Sequence, residues 1–190
     1  MKSNRLEAFS DGVLAIIITI MVLELKMPEG TSMEALIPVF PHFISYLVSF
    51  AYLGIYWNNH HHLLQITEKV NGKILWANLH LLFWLSLIPF TTSWVGEHYQ
   101  QTLPVALYGF ILLMSAIAYF MLQYTIIAYH GDDFVLGKAI GKDYKGKLSV
   151  MVYALGIVLS FFNNWLAIAC YIVVAAMWLI PDRRIEVHIK

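Results

Sequence analysis

Charge is what this sequence has least of. Asp, Glu, Lys and Arg together make up 13% of its 190 residues, about half of the roughly 25% carried by soluble domains. Twelve basic residues balance twelve acidic ones, so there is no broad positive field to hold nucleic acid. A single cysteine, Cys170, excludes an internal disulfide framework. Its apolar surroundings read as those of a small buried side chain rather than a reactive thiol. No Ser-His-Asp, HExxH, GxSxG or Walker signature is present, so nothing marks an enzyme. A carbonyl filter of the TVGYG type is missing too. The first apolar run is long, carries charges at its entrance and lacks a small-residue cleavage site, so it is not expected to be a signal peptide.

What fills the chain is apolar, 59% by residue. A membrane-crossing helix needs about 20 mostly apolar residues. On that criterion the expectation is an all-α integral membrane protein, one unit over 1–190, with six transmembrane helices near 8–26, 37–65, 74–96, 103–129, 148–163 and 165–180. The second exceeds the need and should tilt or project. Pro89 should kink the third. The last two are short and joined at Asn163-Asn164. With six crossings, every Lys and Arg except Lys26 falls on one side, including Lys138, Lys142, Lys145 and Lys147 of the loop before span five. The positive-inside rule then makes both termini cytoplasmic. Trp57, Trp76, Trp94, Trp165 and Trp178 lie near span ends and read as interfacial anchors.

The first span concentrates unusual chemistry. Arg5, Phe9, Ser10, Asp11 and Gly12 precede a run from Val13 to Leu25 broken only by Thr19 and Glu24. Ionisable groups at membrane depth are costly and usually serve a pathway or a buried network. At 100° per residue, Ile16, Ile20 and Leu23 share one stripe with Thr19 on its flank, while Ser10 and Asp11 point about 120° and about −140° from Ile16. The stripe is either ordinary packing or a constriction around an axis. Glu24, near the outer end, is either a solvated helix-end charge or part of a cation-concentrating ring. His60, His61 and His62 point in three directions on one helix and cannot chelate one metal together. A hydrogen-bonded network among Ser10, Asp11, His60 or His61, Asn78 and His80 is the favoured use. Metal binding, or haem held by facing histidines, is the alternative.

Arg5-x-x-x-Phe9-Ser10-Asp11-Gly12 followed by an isoleucine-rich helix resembles the transmembrane protein 175 family of potassium channels in its prokaryotic form. The triple histidine and Pro181 to Arg184 add weaker likeness. The resemblance implies one six-helix unit per chain, assembled as a homotetramer around a pore lined by the first helix; animal members carry two such units and dimerise. It implies constriction positions at Ile16, Ile20 and Leu23, a selectivity-influencing threonine at Thr19, and structural support near the pore from Arg5, Phe9, Ser10 and Asp11.

The functional expectation is therefore a passive cation channel with modest preference for K⁺ over Na⁺, in the plasma membrane of a bacterium. It needs no cofactor, and its partners are monovalent cations, membrane lipid and three further copies. A proton-coupled secondary transporter using intramembrane Asp and His is the main alternative. A haem redox protein and a membrane scaffold are the others.

Overall fold

The computed structural model describes residues 3–67, 69–131 and 143–179. Lys138, Lys142 and the stretch 181–184 lie outside them. Every described element is helical apart from turns and connections: α1 (Asn4–Leu23), a 3₁₀ segment (Met33–Val39), α2 (Phe40–Gln65), α3 (Gly72–Ser86), α4 (Ile88–His98), α5 (Thr102–His130), α6 (Tyr144–Leu159) and α7 (Asn164–Leu179). Four stretches are long and apolar enough to cross a membrane: α1, the 3₁₀ segment with α2, α3 with α4, and α5. α6 and α7 have 16 residues each, about 24 Å of helix, short of a hydrocarbon core of about 30 Å.

The excess length of the second span is resolved at its start, where the 3₁₀ segment Met33–Val39 feeds α2. Pro41 sits in the first turn of α2, where a missing N–H costs nothing. The kink expected at Pro89 falls two residues earlier and is a full break at Leu87. Proline removes the donor for the carbonyl four residues back, so a new helix begins just before it. The Leu87 N–H turns to the Trp84 carbonyl at 3.2 Å. The Thr91 and Thr92 hydroxyls reach back to carbonyls at Leu87 and Ile88, at 3.3 and 2.7 Å. α6 starts four residues before the expected span. Asp143, in a left-handed conformation (φ 40°), caps it by accepting the Gly146 N–H at 3.1 Å. At the other end Asn163 Oδ1 caps α7, accepting from the N–H groups of Trp165 and Leu166.

α1 lies across α2, α3 and α4, and α5 packs on α3, α4, α6 and α7. Tyr52, Tyr108, Tyr153 and Tyr171 meet where α2, α5, α6 and α7 converge. The Tyr52 hydroxyl donates to the Tyr171 carbonyl, and the Tyr171 hydroxyl to the Val105 carbonyl at 3.3 Å. The Tyr171 ring occupies a slot that exists because Gly109 and Gly156 have no side chain; a methyl on Gly156 would lie 2.5 Å from ring atom Cε1. Overpacking of this kind costs about 1–3 kcal/mol. Gly156→Ala should therefore lower the midpoint of thermal inactivation, read by size-exclusion after heating. Gly54→Ala, where nothing lies within 4 Å of the added methyl, should leave it unchanged.

Candidate permeation face and the network behind it

α1 has two faces of opposite character. Leu6, Ser10, Leu14, Ile17 and Met21 recur at three- and four-residue spacing and are buried against the neighbouring helices. Opposite them, Ile16 is 60% exposed, Ile20 43% and Leu23 77%. Thr19 is exposed on the same side, and its hydroxyl donates to the Ala15 carbonyl at 2.8 Å. That bond uses the only hydroxyl proton and leaves oxygen lone pairs outward. The stripe continues into a groove of about 700 Å³ against α4, with Glu24, Phe90, Trp94 and Glu97 among its walls.

The buried face carries a one-way chain of hydrogen bonds. The Ser10 hydroxyl donates to the Leu6 carbonyl at 2.8 Å. Its oxygen accepts from Asn78 Nδ2 at 2.9 Å, which leaves Asn78 Oδ1 to accept from His60 Nε2 at 2.7 Å. Each donor fixes the next, so the Asn78 amide has one orientation and His60 carries its proton on Nε2. The chain ties α2, α3 and α1 together at residues that are all buried. His60 Nδ1 has no partner among the described residues.

A second tie joins α1 to α2 nearer the surface. Trp57 Nε1 donates to Asp11 Oδ1 at 3.1 Å, and His61 Nδ1 lies 2.9 Å from Glu7 Oε1. Trp57 and His61 stack, with centroids 6.1 Å apart. Both pairs are spaced i, i+4, and the helices run antiparallel, so the contacts form two rungs of a ladder.

Of the residues expected in one network, the structure brings together Ser10, Asn78 and His60, and separately Asp11 and His61 through partners not foreseen, Trp57 and Glu7. Trp57 is thus a donor to Asp11 rather than an anchor alone. His80 stands apart: it accepts from Trp84 of its own helix at 2.8 Å. Phe9 and Arg5 are exposed. Among the described residues Arg5 makes no side-chain hydrogen bond or ion pair. Lys26 pairs with Glu97 at 2.7 Å. Glu24 has no ion-pair partner among the described residues. No group of three or more His, Cys, Asp or Glu is placed to hold a metal ion there.

Comparison with known proteins places this geometry. Residues 5–89, which hold α1, the ladder and the buried chain, match the family model described as the endosomal/lysosomal potassium channel TMEM175. A potassium channel of a Chryseobacterium species is 59% identical over 191 residues, covering 100% of this chain and 99% of that protein. A potassium channel of Chamaesiphon minutus is 30% identical, with 92% of each chain covered. The crystal structure of a lysosomal potassium-selective channel TMEM175 homolog from Chamaesiphon minutus superposes with a TM-score of 0.82 at 28% identity, covering 95% of this chain and 97% of that one. Matched end to end in sequence and nearly so in fold, this multi-pass membrane protein belongs to the TMEM175 family.

Proposed function

We propose that the chain is a passive potassium-selective cation channel of the bacterial plasma membrane. The whole of 1–190 acts as one unit of six crossings with both termini cytoplasmic, and four copies surround an axis lined by α1. The observation that carries this reading is the exposed aliphatic stripe. α1 packs one face, Leu6 to Met21, against its neighbours and leaves Ile16, Ile20 and Leu23 on the opposite face, where the described chain offers no cover. Four-fold repetition of Ile16, Ile20 and Leu23 makes a short apolar neck that gates by width and by dewetting. Thr19 presents outward lone pairs beside that neck, a place where a partly dehydrated cation is stabilised. K⁺ passes more readily than Na⁺ because its hydration shell costs less to distort, and without a carbonyl cage the preference stays modest.

Flow is downhill, and the chain belongs to a family of channels rather than enzymes. Glu24, without an ion-pair partner among the described residues and at the outer end of the stripe, raises the local concentration of cations. Asp11, Ser10, Asn78 and His60 hold α1 at the correct rotation and do not touch ions.

Proteoliposomes loaded with K⁺ test this. K⁺ efflux should depend on an added protonophore as charge shunt and exceed Na⁺ efflux severalfold, with Cs⁺ measured in parallel. Saturable uptake driven by a proton gradient, with no shunt-dependent leak, would assign the chain to proton-coupled transport instead.

A further inference from the structure

A second cavity, of about 360 Å³, lies between α2, α5 and α6, away from the permeation face. α1 contributes no residue to its walls. Its volume falls within the range of ligand cavities, about 300–1,000 Å³. The walls are apolar and aromatic: Tyr56, Ile117, Phe120 and Tyr153 are among them. Met151 of the wall is exposed, as is Leu148 beside it, so the opening lies on an apolar flank of the bundle.

One end of this cavity is polar. Gln123, from the last two turns of α5, lines it with only 8% of its surface exposed, and its side-chain amide makes no hydrogen bond to the described residues. Its amide is not sealed inside the bundle but keeps accessible surface that opens into the chamber. Its two donors and one acceptor call for a ligand that brings oxygen atoms. Beside it stand Lys147, exposed and without an ion-pair partner among the described residues, and Trp178, whose ring lies 4.6 Å from the Lys145 ammonium. Among the described residues at this mouth, two lysines, Lys145 and Lys147, stand with one carboxylate, Asp143, which also caps α6.

We propose that this cavity binds one anionic glycerophospholipid. An acyl chain fills the chamber, the ester and glycerol oxygens meet Gln123, and the head group meets Lys147. With the orientation proposed above, that lipid belongs to the cytoplasmic leaflet, where anionic head groups and juxtamembrane lysines attract one another. Binding itself does not depend on that orientation or on conduction.

The test is native mass spectrometry of the purified full-length protein after exchange into mixed phosphatidylglycerol and phosphatidylcholine micelles. Wild type should retain one phosphatidylglycerol per chain. Ala116→Leu, which fills the chamber, should abolish that adduct. Lys147→Gln, at an exposed position where folding is not at stake, should reduce the preference for phosphatidylglycerol about fivefold. No retained phospholipid on wild type would overturn the proposal. So would a head-group preference that Lys147→Gln leaves intact, or an adduct unchanged in an Ala116→Leu protein that elutes as wild type. Potassium flux is not read here, so failure of the channel reading and failure of this one remain distinct.

Discussion

Ile16→Asn should raise shunt-dependent K⁺ flux about tenfold or more, since each 1.4 kcal/mol removed from the barrier is a factor of ten. Asparagine is both smaller and more polar than isoleucine, so the substitution widens the neck and wets it. In a narrow apolar ring water is poorly held, and an ion must shed part of its hydration to cross. In the proposed assembly of four copies, an amide from each would supply replacement oxygens at that level. Ile16 is 60% exposed in the chain, so the exchange strips no packing from the helix bundle. The gain in flux should come with a loss of K⁺ preference, because a hydrated opening discriminates less. Ile16→Val keeps the ring apolar and should leave flux close to wild type. Unchanged flux for asparagine at Ile16, Ile20 and Leu23 alike would remove these residues from the pathway.

Whether the stripe packs or stays open was not legible from the sequence, but the stripe and its rotation against Ser10 were. They depend only on helical period, and α1 runs unbroken through all the residues concerned. The same arithmetic contained more than was drawn from it. Glu7 and Asp11 are spaced by four, and so are Trp57 and His61, which is the pattern of two antiparallel helices joined by rungs. Asn78 and His80 are about 200° apart on one helix, so both could never have faced Ser10. The structure indeed turns His80 to Trp84 of the same helix.

Other features were outside the reach of periodicity. Adjacent His60 and His61 are separated by about 100°, and which of them enters the bundle is set by how α2 rotates against α3. That rotation follows from packing between residues distant in sequence. The break at Leu87 was placed too late because proline was taken as the kink itself; the missing donor acts one turn earlier, and the new helix needs proline in its first turn. α6 was begun too late because Lys145 and Lys147 read as loop. Both lie in its first turn, after the Asp143 cap, where long cationic side chains reach the interface while their backbone stays helical.

Asn78→Leu should destabilise the protein by about 2–4 kcal/mol, the sum of two lost hydrogen bonds and the penalty for a stranded donor. The substitution is close to isosteric, so cavity formation adds little. What changes is that His60 Nε2–H loses its acceptor and Ser10 Oγ loses its donor. Both are buried at the junction of α1, α2 and α3, where a polar group left without a partner is costly. Ser10 keeps its own bond to the Leu6 carbonyl, so the cost falls mainly on the histidine. The expected readout is a lower thermal midpoint and a smaller assembled fraction by size-exclusion, with K⁺ over Na⁺ preference unchanged in the protein that survives. Asp11→Ala, which removes a half-exposed bond to Trp57, should cost only about 0.5–1.5 kcal/mol. The decisive comparison is His60→Leu with Asn78→Leu and Ser10→Ala together. Replacing a whole buried network by apolar groups of similar shape is often nearly neutral, so the triple variant should regain most of the stability that Asn78→Leu loses. If it regains stability and still conducts with normal selectivity, the network serves to hold α1 in place. If it is stable but selectivity shifts, the polar chain acts on the ion path, and its assignment as a support for α1 is wrong.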